Sequence, residues 1–222
     1  MRIQEHLFQG FFGIKTKKDA LKYYKEKEPK LLDIDKKLDG AIEAFQKKKS
    51  HHKQKILAYN AFLQKIDAES WHKLATEIKK LEGMFDEDER ANDYEKKEIE
   101  YIKDELKHIT KGEDDTELKN VEREMSDDTS ELLTIVDNTG TLWEQQLGIA
   151  EKGDEVLKNT LLHTQLDTIF HEENHLISRE EILLKNIDLK LGILLRKTTL
   201  KLRELERTTD MNMQYREIRH IR

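Results

Sequence analysis

From Pro29 onward apolar residues recur at steps of three and four, at Leu31, Ile34, Leu38, Ile42 and Phe45 and again at Ile56, Tyr59, Leu63 and Ile66. That spacing puts them on one side of a helix. Between the two runs stands Lys47-Lys48-Lys49-Ser50-His51-His52-Lys53-Gln54-Lys55. Carrying the register across this stretch sets Lys49 and His52 on the apolar side, so either the helix runs past its partner into water or the chain turns. Lys47, Lys48, Lys49, Lys53 and Lys55 form a candidate basic patch.

Ser70 is placed to cap a short helix carrying Trp71, Leu74, Ile78 and Leu81, with Gly83 as its stop. The acidic run Asp86-Glu87-Asp88-Glu89 suits a helix N-terminus through the macrodipole, and Ile99, Ile102, Leu106 and Ile109 carry that helix to Gly112. A further polar helix becomes apolar at Leu132, Leu133, Ile135 and Val136. Asn138-Thr139-Gly140 interrupts it, and Thr141 with Glu144 reads as a capping box. Gly153-Asp154 marks another start, leading into Val156, Leu162, Leu166, Ile169 and Phe170. Ser178 with Glu181 marks a re-entry into helix, followed by Leu184, Ile187, Leu191, Leu195, Leu202 and Leu205. Ile187, Leu189, Leu191 and Ile193 also alternate as a strand would, but the polar helix formers around them favour helix.

The pattern predicts an all-α chain: an elongated helical bundle or coiled-coil-like hairpins of about five to seven helices, two of them long. Residues 1–208 read as one domain, with 1–16 as an N-terminal aromatic anchor or cap, and 209–222 as a frayed or disordered tail. Composition agrees, since 39% charged and 36% hydrophobic residues with one proline and a mean hydropathy of -0.84 fit long helices with narrow apolar stripes. Cysteine is absent, which excludes disulfides, thiolate metal sites and cysteine nucleophiles. No run of about 18 apolar residues exists and the first residues lack a secretory pattern, so a soluble, cytoplasmic protein is the expectation.

The net charge of -6 hides segregation: residues 1–80 balance to +8, 81–170 to -16 and 171–222 to +2. Such blocks can attract one another within a bundle or between copies of it.

Two patterns offer chemistry. His171-Glu172-Glu173-Asn174-His175 matches H-E-x-x-H, in which two histidines one turn apart bind zinc and the glutamate activates water. However, Leu162, Leu166, Ile169 and Phe170 define an apolar face that contains Glu173, which turns His171 and His175 roughly 160° away from it. The spacing Glu-x-x-His occurs at Glu69/His72, Glu105/His108, Glu172/His175 and Glu217/His220, and two such pairs on facing helices build di-iron sites. Exposed pairs one turn apart account for the same spacing. Zinc or iron is therefore the alternative, and no cofactor the expectation.

At the N-terminus, Leu7, Phe8, Phe11, Phe12 and Ile14 precede Lys15, Lys17 and Lys18. This suits a cap on the bundle, a docking site for a protein, or shallow insertion into an anionic membrane surface. With Phe11-Phe12-Gly13 and the basic-then-acidic order of its helices, the chain loosely resembles membrane-remodelling helical proteins of the ESCRT-III and phage-shock type. The likeness covers residues 7–18 and the charge order, and the C-terminal region departs from it by turning basic again. A nucleic-acid partner is not expected, because the chain is acidic overall and carries no recognition motif. The expected function is a non-enzymatic scaffold or adaptor that works through helix-to-helix contact with a protein partner or with itself.

Overall fold

The computed structural model describes the backbone of residues 17–64, 71–113, 115–150 and 160–220. Among these are four helices and no strand: α1 (Lys17–Gln64), α2 (Trp71–Thr110), α3 (Thr116–Ala150) and α4 (Thr160–His220). The chain is an all-α helical bundle, and the described residues form four helices where about five to seven were expected. The interruptions expected at residues 47–55, at Gly83, at residues 138–140 and at Ser178 all lie inside helices.

The physical reason is local. Hydroxyls that read as part of a break or as a cap bond back to the preceding turn instead: Thr139 Oγ1 donates to the Ile135 carbonyl at 2.9 Å, Thr141 Oγ1 to that of Asp137 at 3.2 Å, and Ser178 Oγ to that of Asn174 at 2.8 Å. The lysines of residues 47–55 carry α1 through because two of them find buried carboxylates. Pro29 also lies inside α1, on an exposed turn where water can serve the carbonyl that loses its helical donor. α4 continues to His220, into the stretch expected as a tail. Ser70, Glu69, Gly153, Asp154, Val156 and the N-terminal Leu7, Phe8, Phe11, Phe12 and Ile14 lie outside the described residues.

Contacts divide the chain into two compact units. The first is Met1–Lys37, Tyr101–Asp128 and Asn186–Arg222, and the second Leu38–Glu100 and Thr129–Lys185. Each takes a stretch from all four helices.

In the first unit, Lys30 pairs with Glu105 and the Tyr101 hydroxyl donates to Asp33, so α2 runs antiparallel to α1. Lys25 with Glu206 and Thr199 with Glu28 set α4 antiparallel to α1, and Lys190 with Asp128 and Lys197 with Glu117 set it antiparallel to α3. The core holds Leu31, Ile34, Ile102, Leu106, Ile109, Leu118, Met125, Ile187, Leu191 and Leu194. α3 starts cleanly because Asp115 Oδ1 accepts from the amides of Glu117 (2.9 Å) and Leu118 (3.1 Å), two donors the helix itself cannot satisfy.

In the second unit, Lys47 pairs with Glu87, Lys96 with Asp137, Arg179 with Glu131 and Lys49 with Glu181, each pair tying neighbouring antiparallel helices. Its core includes Leu38, Ala41, Phe45, Ile99, Leu132, Val136, Trp143, Ile177 and Leu184. Ala41 takes the place expected of Ile42, which is only half-buried.

One run of buried positions follows steps of three and four. On α1 of the second unit it is Leu38, Ala41, Phe45, Lys48, His52 and Lys55, and on α2 Asp88, Asn92, Glu95 and Ile99, with Ala44, Ala91 and Glu98 buried beside it. Six of the ten positions in this run are polar or charged.

The turn between α2 and α3 depends on one close approach. The Tyr23 ring lies where a side chain on Gly112 would begin, and the Tyr23 hydroxyl donates to the Ile109 carbonyl at 2.7 Å. Gly112→Ala should therefore cost about 1–3 kcal/mol in urea unfolding, while Gly83→Ala, with nothing near it, should be neutral or slightly stabilising.

Candidate functional site

A lysine buried away from water is costly unless its charge is met. Three lysines of α1 are buried to 2% exposure or less, and each faces two carboxylates supplied by other parts of the chain.

In the first unit Lys27 Nζ pairs with Glu113, from the α2–α3 turn, and lies 2.5 Å from Glu122 of α3. The Tyr24 hydroxyl donates to Glu113 at 2.8 Å, and the Lys27 ammonium stands 5.4 Å from the Tyr23 ring centroid. Burial raises the Glu122 carboxyl, against the pull of Lys27. Burial, followed by the Glu113 charge, also pushes the Tyr24 phenol well above its usual range, so it stays a donor.

The second unit holds two such centres. Lys48 Nζ lies 2.5 Å from Glu95 and 2.8 Å from Glu180, and donates to Asn92 Oδ1 at 3.1 Å. Asn92 is fixed by its own donation to the Val136 carbonyl at 3.1 Å. Burial disfavours the Lys48 charge, but Glu95 and Glu180 more than offset this and raise its pKa. Glu95 is raised well above the ordinary glutamate range by burial, against Lys48 and with the added push of Glu180. One ammonium between two carboxyls is thus best served by one carboxylate and one retained proton.

Lys55 Nζ lies 3.0 Å from both Asp88 and Glu173. Glu173 is the most heavily bonded acid described: its Oε1 also accepts from Trp143 Nε1 at 2.7 Å, and its Oε2 accepts from Gln146 at 2.5 Å and lies 3.1 Å from His52 Nδ1. Burial would raise its pKa, but the His52 contact, Lys55 and Gln146 hold it down at about 2. Asp88, 2.6 Å from His51 Nδ1, is raised by burial despite Lys55 and His51. Trp143 lies beside both lysines, its ring centroid 5.8 Å from Lys48 Nζ and 5.0 Å from Lys55 Nζ.

The two centres of the second unit are one motif repeated. Lys48 and Lys55, Asp88 and Glu95, and Glu173 and Glu180 are each seven residues apart, and α1 runs opposite to α2 and α4. What this arrangement does chemically is to hold charge out of water. Among the described residues no three histidine, aspartate or glutamate side chains converge closely enough to hold a metal ion.

The sequence-derived candidates are dispersed. His171, Glu172 and His175 are exposed on α4, with Glu173 between them turned inward. Glu105 is half-buried and paired with Lys30 at 3.2 Å, while His108 is exposed. Of the basic patch, Lys48 and Lys55 are interior, Lys49 pairs with Glu181 and Lys47 with Glu87, and Lys53 is exposed. The patch is therefore not one surface. Lys27, Glu95, Glu113, Glu122 and Glu180 were not singled out by sequence. The signal for Lys48 and Lys55 was the strict four-three alternation from Phe45, which reaches Lys48, His52 and Lys55, one residue off the register that selects Lys49.

Comparison with protein-family models, with curated proteins and with solved structures gave no match.

The pH dependence of the two glutamates should run in opposite directions. Glu173, held at about 2, stabilises the fold fully above its ordinary value of 4.5, and this is lost as pH falls from there through 2. Glu173→Gln should thus cost about 3 kcal/mol at pH 7 in urea unfolding, with the deficit shrinking below pH 4.5. Glu95 retains a proton that the unfolded chain gives up, so its native form loses stability as pH rises above 4.5. Glu95→Gln should gain on the wild type with rising pH, by at most about 1.4 kcal/mol per pH unit.

Proposed function

We propose that this chain is a non-enzymatic helical scaffold or adaptor that acts through contact between helices, with itself or with a protein partner. One observation carries the reading: the buried Lys27, Lys48 and Lys55 each meet two buried carboxyl groups, so the most perturbed of the described titratable groups serve packing and register. The four-three spacing of the buried positions supports coiled-coil packing of the helices. It also leaves the outward faces of α1 to α4 as the surface on which function acts.

The metalloprotein alternative has less support. His171 and His175 face outward, and the glutamate between them that turns inward is taken up by Lys55, His52, Trp143 and Gln146. Among the described residues no helix is long and apolar enough to cross a membrane.

Gel filtration with light scattering on tag-free protein at low and moderate salt tests the scaffold reading. Concentration-dependent association that weakens with salt is expected. A monomer at both salts that carries stoichiometric zinc, iron or manganese overturns the reading.

A further inference from the structure

α4 carries a second stripe. Leu189, Ile193 and Leu200 are 66%, 37% and 55% exposed, and at 100° per residue they fall within about 40° of one another. Their direction is roughly 150° from that of the buried Ile187, Leu191 and Leu194. Single exposed aliphatics are ordinary on a protein surface. Three in line on the far side of a helix from its own core form a face.

Along one edge of this face stand Arg196, Arg203 and Arg207, all exposed. Together the six residues follow steps of four, three, four, three and four, the spacing of a coiled-coil seam. By contrast, the lysines on the α3 side of α4 are already engaged, Lys190 with Asp128, Lys197 with Glu117 and Lys201 with Asp115.

We propose that Leu189, Ile193, Arg196, Leu200, Arg203 and Arg207 form a docking seam for an acidic amphipathic helix of a partner protein, one that sets apolar residues against the aliphatics and Asp or Glu against the arginines. The proposal rests on the scaffold reading and names the surface and the class of partner.

Charge complementarity selects this occupant. A second copy of α4 fits poorly. Antiparallel self-pairing over the whole seam sets Leu189 against Arg207, Ile193 against Arg203 and Arg196 against Leu200, so every aliphatic meets a guanidinium, and a slip of one heptad that brings Leu189 to Leu200 leaves Arg203 and Arg207 beyond the contact. Parallel self-pairing stacks arginine on arginine. A membrane surface is also a poorer fit, because an interfacial helix offers a wide apolar face with aromatic residues, whereas this one is narrow and aliphatic, as a helix-pairing seam is. Arginine's planar fork binds carboxylates in pairs of parallel hydrogen bonds, which gives an acidic helix both attraction and register.

The test uses the full chain and two labelled helical peptides of about four heptads. One has leucine opposite the aliphatics and glutamate opposite the arginines, in both chain directions, and the other has lysine in place of each of those glutamates. Fluorescence anisotropy should show the acidic peptide binding the wild type. Leu189→Ser/Leu200→Ser and Arg196→Glu/Arg203→Glu should each weaken it at least tenfold, and the lysine peptide should bind only the charge-reversed variant. Circular dichroism melts confirm that these outward substitutions leave the fold intact. The seam is overturned if the acidic peptide does not bind, or binds both variants as well as the wild type. It is overturned in favour of a lipid surface if no peptide binds but phosphatidylserine vesicles sediment the wild type and not Arg196→Glu/Arg203→Glu. If the variants self-associate like the wild type while the peptide fails, the seam falls and the scaffold reading stands. If the chain is a metal-loaded monomer as well, both fall.

Discussion

The fold depends on neutralising three lysines that have no access to water. Removing an ammonium and a carboxylate from water costs several kcal/mol per ion, and their attraction repays this only where the two charges meet. Each centre therefore binds together segments far apart in the chain: Lys27 with Glu113 and Glu122, Lys48 with Glu95 and Glu180, Lys55 with Asp88 and Glu173. Aliphatic layers alone would tolerate one helix sliding past another. In the second unit such a slide of α1 by seven residues would bring Ala41 to Glu95 and Glu180, leaving two buried carboxyls without a cation. Charge thus fixes the register that hydrophobic packing leaves degenerate.

The same enclosure sets these perturbed acids apart from the shifted carboxyls of an open cleft. Strongly shifted carboxyls in a cleft are candidates for acid–base work because substrate can reach them. Glu95 and Glu173 are shifted in opposite directions, one keeping its proton and one giving it up, but both are enclosed by neighbouring side chains. Their difference follows from counting donors. Glu173 has Lys55, Trp143, Gln146 and His52 around it, while Glu95 shares a single ammonium with Glu180.

Helix content was legible in the sequence because Leu31, Ile34, Leu38 and Phe45, or Ile99, Ile102, Leu106 and Ile109, repeat at helical spacing whatever they pack against. Helix ends were not, since Asn138-Thr139-Gly140 and Ser178 look like breaks until their hydroxyls are seen bonding to the turn before. The ion centres were hidden for a different reason. Periodicity was read from apolar residues, and at Lys27, Lys48, Lys55, Glu95 and Glu180 the repeat continues in charged ones. A lysine on an apolar register reads as an interruption until the carboxylates of other helices are known, and sequence spacing within one helix carries no information about them. His171 and His175 were easier, because the neighbouring apolar face already turned them outward.

Hydration of an ion carries a strongly unfavourable entropy, so the penalty for stripping water from charges shrinks on heating, while the gain from burying aliphatic area levels off. An interior that gives so many seam positions to lysine, aspartate and glutamate is thus weighted toward warmth. Compared with an all-leucine bundle of the same size, this chain gives up cohesion in the cold and keeps more of it as temperature climbs.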